Sequence, residues 1–280
     1  MDGRYAVLGA TGAQGGAVVA ALADAGAAVR GITRSVESRR ARELADAGVE
    51  VVAADLSDAG SVAKAFEGVD GAFALTTPFE DGPDAELGQG ATIIAAAQRA
   101  ELPHLVFSSV SDADKHTGIP HFDSKARVEQ ALAKSGLSYT IVGPTYFYDN
   151  LLGGIDDVRA GRLELPIPAD RALQQLSRRD LGRFAALILA DPTPFHRLRV
   201  DIASDAPTPT EMAAVLADVL GRPIEVISTH AEDIESPDMR AMFGFLSTTG
   251  YSADLAGLRA QYPGVGWQSF RDWAGEVLGP

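Results

Sequence analysis

A glycine-rich segment near the start of the chain, with a glycine at every third position from Gly9 to Gly15, has the spacing of a loop that binds a diphosphate. In such loops the first glycine permits a tight turn, the second lets the backbone approach a pyrophosphate, and the third lets a helix pack closely on a strand. The segment lies between a predicted strand at Tyr5–Leu8 and a predicted helix at Gln14–Ala25, whose first N–H groups would face the phosphates. This context favours dinucleotide binding over a plain turn. The residues of the loop that are predicted to bind the cofactor are Gly9, Ala10, Thr11, Gly12, Ala13, Gln14 and Gly15.

The residues after the second predicted strand indicate which dinucleotide the loop binds. Proteins that bind NAD usually place an Asp or Glu there to hold the ribose 2′-hydroxyl, but positions 25–36 contain no carboxylate. Arg34 lies there instead, and its guanidinium can form a charge-assisted fork with a 2′-phosphate while Thr33 and Ser35 add hydroxyl contacts. We therefore predict NADP(H) as the cofactor. Two arginines farther along the chain are interpreted as a solvated face of the next helix: Arg40 and Arg42.

Two further strand ends are predicted to contact the same cofactor. Asp55 and Leu56 follow the third predicted strand, where an acid can accept a hydrogen bond from the adenine amino group and an apolar neighbour can flank the ring. Asp55 has an alternative of comparable weight, which is to cap the helix that follows. Thr76, Thr77 and Pro78 follow the fourth predicted strand and are expected to face the crevice at the carboxyl edge of the sheet.

The elements that must position these residues alternate between short β-branched strands and longer Ala-rich helices up to about residue 143, which predicts a parallel sheet covered by helices on both faces. The predicted strands are Tyr5–Leu8, Ala28–Thr33, Val49–Ala53, Gly71–Leu75, His104–Ser108 and Ser138–Val142, and the helices between them are Gln14–Ala25, Ser38–Ala47, Ser61–Glu67, Asp84–Ala100 and Asp123–Ser135. Beyond Pro144, proline pairs divide the chain into shorter pieces. Those pieces are predicted to include helices at Arg178–Ala190, Thr210–Leu220 and Trp267–Leu278 and a strand at Pro223–Ile227.

The predicted fold class is therefore α/β, with a doubly wound parallel Rossmann sheet. Residues 1–150 are predicted to form the NADP-binding Rossmann domain. Residues 151–280 are predicted to form a smaller C-terminal α/β substrate subdomain over the cofactor cleft, from which the chain can return to the Rossmann sheet.

Composition limits the other classes of function. The chain has 24 Lys and Arg against 38 Asp and Glu, a net charge of -14 that repels nucleic acids and anionic membranes, so neither is expected as a direct partner. Apolar runs stay well below the ~18 residues of a membrane span, and the N-terminus lacks the basic region of a signal peptide. Cysteine is absent and the five histidines lack the spacing of a zinc site, so no metal is predicted. A cytoplasmic location is expected.

The order of these motifs resembles the NmrA-like family, a branch of the atypical short-chain dehydrogenase/reductases. The segments that carry the resemblance, which covers nearly the whole chain, are GATGAQGG (9–16), TR (33–34), AADL (53–56), HFDSKARVEQAL (121–132), GPTYFYDNLL (143–152), RRDLGRFAALIL (178–189) and DIASDAPTPTEMAAVLADVLGRPIEV (201–226). The family includes NAD(P)H-dependent quinone and azo-dye reductases, isoflavone-type reductases, and proteins that sense the NADPH/NADP ratio without turnover. The resemblance therefore implies the cofactor more firmly than the activity.

The resemblance also implies where catalytic side chains would lie. Reductases of the wider superfamily pair a tyrosine, which shuttles a proton, with a lysine one helical turn later, which holds the nicotinamide ribose. In this chain Lys125 stands at the lysine position and His121 at the tyrosine position. Lys125 is predicted to hold the ribose, and His121 is either a proton donor or only the start of a helix. Ser108 and Ser109 end the fifth predicted strand, where the superfamily often keeps a hydroxyl for the substrate carbonyl.

The segment after the sixth predicted strand is expected at the nicotinamide end of the cleft. Pro144, Tyr146 and Phe147 are predicted to contact the cofactor there, and the aromatic residues, with Phe79 and Tyr148, line a pocket for a planar acceptor or else pack in the core. We predict a reductase that transfers a hydride directly from NADPH to a small quinone-like or other conjugated acceptor. The missing tyrosine puts alcohol-dehydrogenase chemistry in doubt. The alternative is a non-catalytic redox sensor that acts through a protein partner.

Overall fold

A parallel sheet of seven strands forms the centre of the computed structural model, which describes residues 1–79 and 82–279. Numbered along the chain, the strands are β1 (Arg4–Leu8), β2 (Ala28–Thr33), β3 (Glu50–Ala53), β4 (Gly71–Leu75), β5 (Leu105–Ser108), β6 (Tyr139–Pro144), β7 (Tyr146–Phe147), β8 (Arg162–Leu165), β9 (Gln175–Leu176), β10 (Arg199–Ile202) and β11 (Glu225–Ser228). The large sheet has the order β10-β6-β5-β4-β1-β2-β3, and β8 pairs with β11 and β7 with β9 in two small sheets. Because strands are added first on one side of β1 and then on the other, the sheet is doubly wound, and the predicted fold class is confirmed.

The helices of the described residues are α1 (Ala13–Asp24), α2 (Arg39–Asp46), α3 (Ala59–Phe66), α4 (Gly82–Arg99), α5 (Pro120–Lys134), α6 (Ile155–Arg159), α7 (Arg178–Ala190), α8 (Pro209–Leu220), α9 (Pro237–Thr248), α10 (Leu255–Gln261) and α11 (Phe270–Leu278). Of these, α1 and α7 cover one face of the large sheet, and α3, α4 and α5 cover the other. Alternate side chains of β1 point to opposite faces, so Tyr5 and Val7 pack against α1 and α7, whereas Ala6 and Leu8 share a second core with α3, α4 and α5. A strand that is buried on both faces is apolar throughout, which explains why these strands could be recognised as short apolar runs.

The chain returns to the large sheet after residue 150 through α7, which packs on α1, and through β10, which pairs in parallel with β6. The sequence does not predict β10, because this edge strand has four residues of which three are only half-buried. The remaining elements form a layer with its own core, which includes Leu163, Met212, Leu246 and Trp273. The predicted boundary near residue 150 stays a prediction.

Several element ends differ from the prediction by one to three residues, and three of the differences have clear local reasons. α5 begins at Pro120 rather than at Asp123, because proline fits the first turn of a helix, where no N–H group is needed. α11 begins at Phe270 rather than Trp267, because the Ser269 and Asp272 side chains form a capping box. β11 begins at Glu225, two residues after Pro223, which has no N–H group for a ladder. The helices α9 and α10 and the strand β8 were not predicted.

A buried histidine links two strands at the amino-terminal edge of the sheet, opposite to the carboxyl ends of the strands. His104 precedes β5 and is 1% exposed. Its ring nitrogens each lie 2.9 Å from a hydroxyl oxygen, Nδ1 from Ser138 and Nε2 from Thr140. Burial, together with the nearby charge of His196, lowers the pKa of His104 to about 4. The ring is therefore neutral at neutral pH in the folded protein.

We expect His104 to make the folded protein sensitive to acid. Between its usual pKa of 6.5 and the folded value of about 4, the unfolded chain binds a proton that the folded chain does not, so the free energy of unfolding falls as the pH is lowered through this range. The loss amounts to about 3 kcal/mol by pH 4. Chemical denaturation of the wild type and of His104→Gln at several pH values measures this slope, which should be smaller in the variant.

The matched control is His230→Gln, because His230 is exposed. Its denaturation profile should keep the wild-type slope. Titrating groups remote from His104 and His230 contribute equally to all three proteins and cancel in the comparison. A His104→Gln protein with an unchanged slope would contradict a neutral buried ring.

Candidate functional site

The carboxyl ends of β1, β2, β3 and β4 open onto a cleft with a volume of about 820 Å³. Twelve of the residues predicted to bind the cofactor line it: Gly9, Thr11, Gly12, Ala13, Gln14, Gly15, Thr33, Arg34, Asp55, Leu56, Thr76 and Thr77. The other lining residues include Ser57 from the loop after β3 and Ala85, Gly88, Gln89 and Thr92 from α4. The structure thus brings together strand ends that are up to about seventy residues apart in the sequence.

The remaining predicted residues lie outside the lining of this cleft. They are Ala10, Ser35, Pro78, Lys125, Pro144, Tyr146 and Phe147. Ala10 is buried behind the loop, where its N–H group donates to the carbonyl of Ile32 at 3.1 Å. Tyr146 lines a second cavity of about 480 Å³, described below. The assignment of these residues to the cofactor stays a prediction.

The glycine loop has the geometry that its spacing predicts. Gly9 has a positive φ of 68°, and its carbonyl accepts a hydrogen bond from the N–H group of Gly12 at 2.8 Å, which closes the turn. A Cβ atom on Gly15 would lie 2.2 Å from the Gly9 oxygen, so no other residue fits there without displacing the loop. Within the described part of the chain, α1 has neither a side-chain cap nor an acidic residue in its first turn. The positive end of the helix dipole is therefore available to a diphosphate, which the loop fits.

Two arginines that follow β2 in the sequence, Arg34 and Arg40, lie near this loop. Arg34 lines the cleft directly after Thr33, whose hydroxyl lies 3.3 Å from that of Thr11. Arg40 donates from α2 to the carbonyl of Thr11 at 3.0 Å. Arg40 is exposed, as its interpretation as part of a solvated helix face requires, and its guanidinium also reaches back to the glycine loop. Arg42 instead donates to the carbonyl of Glu37, which precedes the N-cap of α2.

Asp55 does not cap the helix that follows it. The N-cap of α3 is Asp58, whose carboxylate accepts from the N–H group of Gly60 at 2.8 Å. The Asp55 carboxylate accepts from the N–H group of Ser57 at 2.8 Å and closes a short turn. Hydrogen bonds from Ser57 lower the pKa of Asp55, and the charge of Arg34 lowers it further. Asp55 is thus an ionised, exposed acceptor at the rim of the cleft.

Lys125 lies in a buried polar cluster beside Thr76. Its ammonium group donates to the backbone carbonyl of Thr76, to the Thr76 hydroxyl at 3.0 Å, and to the Glu86 carboxylate at 2.8 Å. Glu86 is fully buried and also accepts from the hydroxyls of Thr76, at 2.8 Å, and Ser124. All three N–H donors of the ammonium group therefore have acceptors within the protein. Burial lowers the pKa of Lys125, and the Glu86 charge opposes that effect.

Sequence reasoning missed Glu86. It is one of two acids in α4, and its sequence neighbours do not distinguish it from a solvated helix residue. Only the packing of α4 against the end of β4 turns it toward Lys125. Because Thr76 lines the cleft, this cluster forms the wall behind the cleft and fixes the end of β4.

His121 lies in the first turn of α5, one turn before Lys125 on the same face. Its ring nitrogen Nδ1 is 2.7 Å from a carboxylate oxygen of Asp238, which lies in the first turn of α9. The centroid of its ring is 5.6 Å from that of Phe79, whose side chain is largely exposed. Sequence reasoning also missed Asp238, because it belongs to an unpredicted helix more than a hundred residues away.

The two serines at the end of β5 have different roles. Ser108 donates to the side-chain oxygen of Gln14 at 2.7 Å, which links β5 to the glycine loop. Ser109 points away and donates to the buried carboxylate of Glu129 on α5. Of the two, Ser108 is the hydroxyl that touches a residue of the cleft.

The second cavity, of about 480 Å³, lies within the C-terminal layer. Its lining is largely apolar and includes Tyr146, Tyr148, Leu163, Met239 and Phe243. Burial raises the pKa of Tyr146, whose hydroxyl bonds with Asn150. Tyr148 is a core residue whose hydroxyl donates to the carbonyl of Gln268 at 3.0 Å.

No helix in the part of the chain that the structure describes has the length and apolar character to cross a membrane.

A doubly wound parallel sheet with a glycine loop and a cleft at its switch point, which Arg34 lines, defines a dinucleotide-binding protein of the Rossmann class. The chain belongs to the NmrA-like family, which it matches over residues 1–252, and the predicted resemblance is confirmed. A curated relative, the (4-alkanoyl-5-oxo-2,5-dihydrofuran-3-yl)methyl phosphate reductase of Streptomyces griseus, is 30% identical over 96% of each chain.

Solved structures of reductases share the fold. A triphenylmethane reductase from Citrobacter sp. complexed with NADP(H) superimposes with a TM-score of 0.84 at 22% identity, covering 98% of this chain and 99% of that one. An NADPH-dependent quinone oxidoreductase from Escherichia coli complexed with NADPH gives a TM-score of 0.83 at 22% identity, covering 98% and 100%. The family is thus one of NAD(P)H-dependent oxidoreductases, in agreement with the predicted cofactor.

We expect Gly15→Ala to weaken the binding of NADPH by at least tenfold, about 1.4 kcal/mol. The added methyl group would displace the Gly9 carbonyl and with it the turn that receives the diphosphate. The neighbouring Gly16→Ala is the matched control, because its Cβ atom would lie 3.5 Å from the nearest atom, an ordinary contact. Fluorescence titration of NADPH, with circular dichroism to establish folding, compares the two. Wild-type affinity in a folded Gly15→Ala protein would show that the loop does not hold the cofactor.

Proposed function

We propose that the protein is a reductase that uses NADPH and acts on a quinone or another conjugated small molecule. The observation that carries the choice of cofactor is the position of Arg34 at the end of β2, inside the cleft and beside the glycine loop. Arg40 brings a second guanidinium to the same loop. Two cations near one strand end suit the dianionic 2′-phosphate of NADPH, whereas NADH would find no carboxylate between positions 25 and 36 for its 2′-hydroxyl.

The chemistry of the relatives supports a conjugated acceptor. The Streptomyces griseus relative acts on a 5-oxo-2,5-dihydrofuran, whose ring double bond is conjugated with a carbonyl group. Proteins of the same fold act on triphenylmethane dyes and on quinones. Each of these acceptors can take a hydride into a conjugated system and place the electron pair on a heteroatom or an extended π system. When bound, NADPH supplies that hydride.

The side chains of this protein would supply binding and position. The glycine loop and α1 would hold the diphosphate, and the cluster of Lys125, Glu86 and Thr76 would fix the strand end that forms one wall of the cleft. His121, at the start of α5, would provide a proton. The apolar cavity lined by Tyr146 is a candidate to receive the body of the acceptor.

We expect the wild type to bind NADPH at least tenfold more tightly than NADH, a difference of about 1.4 kcal/mol. Arg34→Asp should lower the affinity for NADPH by more than tenfold, because it removes a charged contact and places a carboxylate where a dianion would bind. The same carboxylate can accept hydrogen bonds from a ribose diol, so the affinity for NADH should hold or rise. Isothermal titration of both reduced cofactors measures these changes.

The control for this charge reversal is Arg42→Asp. Arg42 lies on the same helix as Arg40 but donates only to the carbonyl of Glu37, so its reversal should leave the preference for NADPH nearly unchanged. Equal affinities of the wild type for NADPH and NADH, or NADPH binding unaffected by Arg34→Asp, would refute the assignment of NADPH.

The reductase activity itself can be tested by following the oxidation of NADPH in the presence of 2-methyl-1,4-naphthoquinone, an azo dye and a triphenylmethane dye. We expect the wild type to oxidise NADPH with at least one of these acceptors and to form the reduced acceptor in equal amount. Binding of NADPH without oxidation by any acceptor in the panel would contradict the proposal and indicate a redox sensor. The Gly15→Ala protein serves as the control for oxidation that does not depend on the cleft.

A further inference from the structure

The side chain at the position of the superfamily tyrosine is held by a carboxylate from another layer of the molecule. One oxygen of Asp238 lies 2.7 Å from Nδ1 of His121 and 3.2 Å from the backbone nitrogen of the same residue. The same carboxylate therefore orients the imidazole ring and satisfies an N–H group at the start of α5. The two residues are 117 positions apart, so only the packing of α9 over α5 brings them together.

This contact determines which ring nitrogen carries the proton in the neutral ring. An ionised carboxylate is an acceptor only, so Nδ1 must be the donor. Nε2 is then left for another partner. Among residues 1–79 and 82–279, Nε2 has no hydrogen-bond partner, yet it is not one of the atoms sealed from solvent. Nε2 is therefore a solvent-accessible polar atom of a side chain that is otherwise buried.

The surroundings of the ring suit a group that transfers a proton rather than one that only fills space. The ring packs edge-on against Phe122, with centroids 4.8 Å apart. It also packs against Phe79 in a tilted arrangement, with centroids 5.6 Å apart. Phe79 is 69% exposed and follows Thr76 and Thr77, which line the cofactor cleft. His121 does not line the cleft itself but lies one turn before Lys125, in ring contact with the segment that continues from Thr77.

We propose that Asp238 positions His121 as the proton donor of the reaction, by orienting the ring and fixing its Nδ1–H form, which leaves Nε2 to transfer the proton. The inference rests on the proposed reductase function. The acceptor gains a hydride from NADPH, the electron pair moves to an acceptor oxygen, and that oxygen takes the proton from Nε2 of the protonated ring. The ring is left neutral, with Nδ1–H still bonded to Asp238, and regains a proton from solvent at Nε2. The net change is one acceptor, one NADPH and one proton converted to the reduced acceptor and NADP⁺.

The Asp238 contact also joins α5 to α9, so a purely structural role is the competing explanation. Two substitutions separate these roles. Asp238→Asn keeps an oxygen that can accept from Nδ1–H but removes the charge, whereas Asp238→Ala removes both. Asp233→Ala is the matched control, because Asp233 is an exposed acid in the same connection, before α9.

The tautomer can be measured without turnover. Long-range ¹H–¹⁵N spectra of the histidine rings, assigned with His121→Gln, report which nitrogen of His121 carries the proton, both in the free protein and with NADPH added. We expect the Nδ1–H form in the wild type, in Asp238→Asn and in Asp233→Ala, and a shift toward the Nε2–H form in Asp238→Ala. An Nε2–H ring in the wild type would overturn the inference.

Turnover with 2-methyl-1,4-naphthoquinone tests the role in the reaction. We expect kcat to fall by about tenfold or more in Asp238→Ala and by a smaller factor in Asp238→Asn, while the Kd of NADPH stays within about twofold of the wild-type value. Asp233→Ala should match the wild type. Unchanged kcat in Asp238→Ala, or a loss of NADPH affinity as large as the loss of kcat, would overturn the inference and leave a structural link. A wild type that binds NADPH but reduces no acceptor would instead overturn the proposed function, and the proton-donor role with it.

Discussion

The close approach of α1 to the turn after β1 is the constraint on which the rest of the cleft depends. A Cβ atom at position 15 would meet the Gly9 oxygen at 2.2 Å, so the helix can lie this near only because Gly15 has none. The opposite side of α1 is equally tight, since a Cβ atom on Gly182 of α7 would lie 2.3 Å from the carbonyl oxygen of Ala17. α1 is thus held between the sheet and α7 with no spare distance. Its first turn can therefore present N–H groups to a ligand at a fixed place.

The buried pair of Lys125 and Glu86 has a comparable role at the other end of the cleft. A charge without a partner in this position would be strongly destabilising, but here each charge faces the other and the remaining hydrogen-bonding capacity is taken by Thr76 and Ser124. The pair ties α4 and α5 to the end of β4. The superfamily assigns such a lysine to the ribose, whereas in this chain its three donors already serve Thr76 and Glu86. Lys125 consequently contacts the lining of the cleft through Thr76, and its contact with the ribose stays a prediction.

Much of the fold could be predicted because its determinants are local. The six predicted strands of the sheet are apolar runs, and the glycine loop, Arg34 and Thr76 are recognised by their position after a strand. What could not be predicted depends on contacts between distant segments. β10 is an edge strand defined by its pairing with β6, and Glu86, Arg40 and Asp238 become part of the site only through the packing of α4, α2 and α9. The exposure of Arg40 can be predicted, but a helical arginine gives no sign in the sequence that it bends back to a loop.

The C-terminal layer is tied to the Rossmann sheet by polar contacts at the same edge where the cleft opens. Asp112, which follows β5, has a positive φ of 61° and is almost completely buried. Its carboxylate accepts from the backbone N–H of Ser252 at 2.9 Å and from the hydroxyl of the same residue. The contact between His121 and Asp238 is a second carboxylate-centred link between the layers, and Asp205, which accepts from the N–H group of Phe270 at 3.0 Å, is a third. These directed hydrogen bonds act together with apolar packing between the layers, in which Phe122 of α5 contacts Phe245 of α9, to fix how the second layer is oriented over the strand ends. The position of α9 over His121 is therefore coupled to the ends of the same strands that form the cofactor cleft.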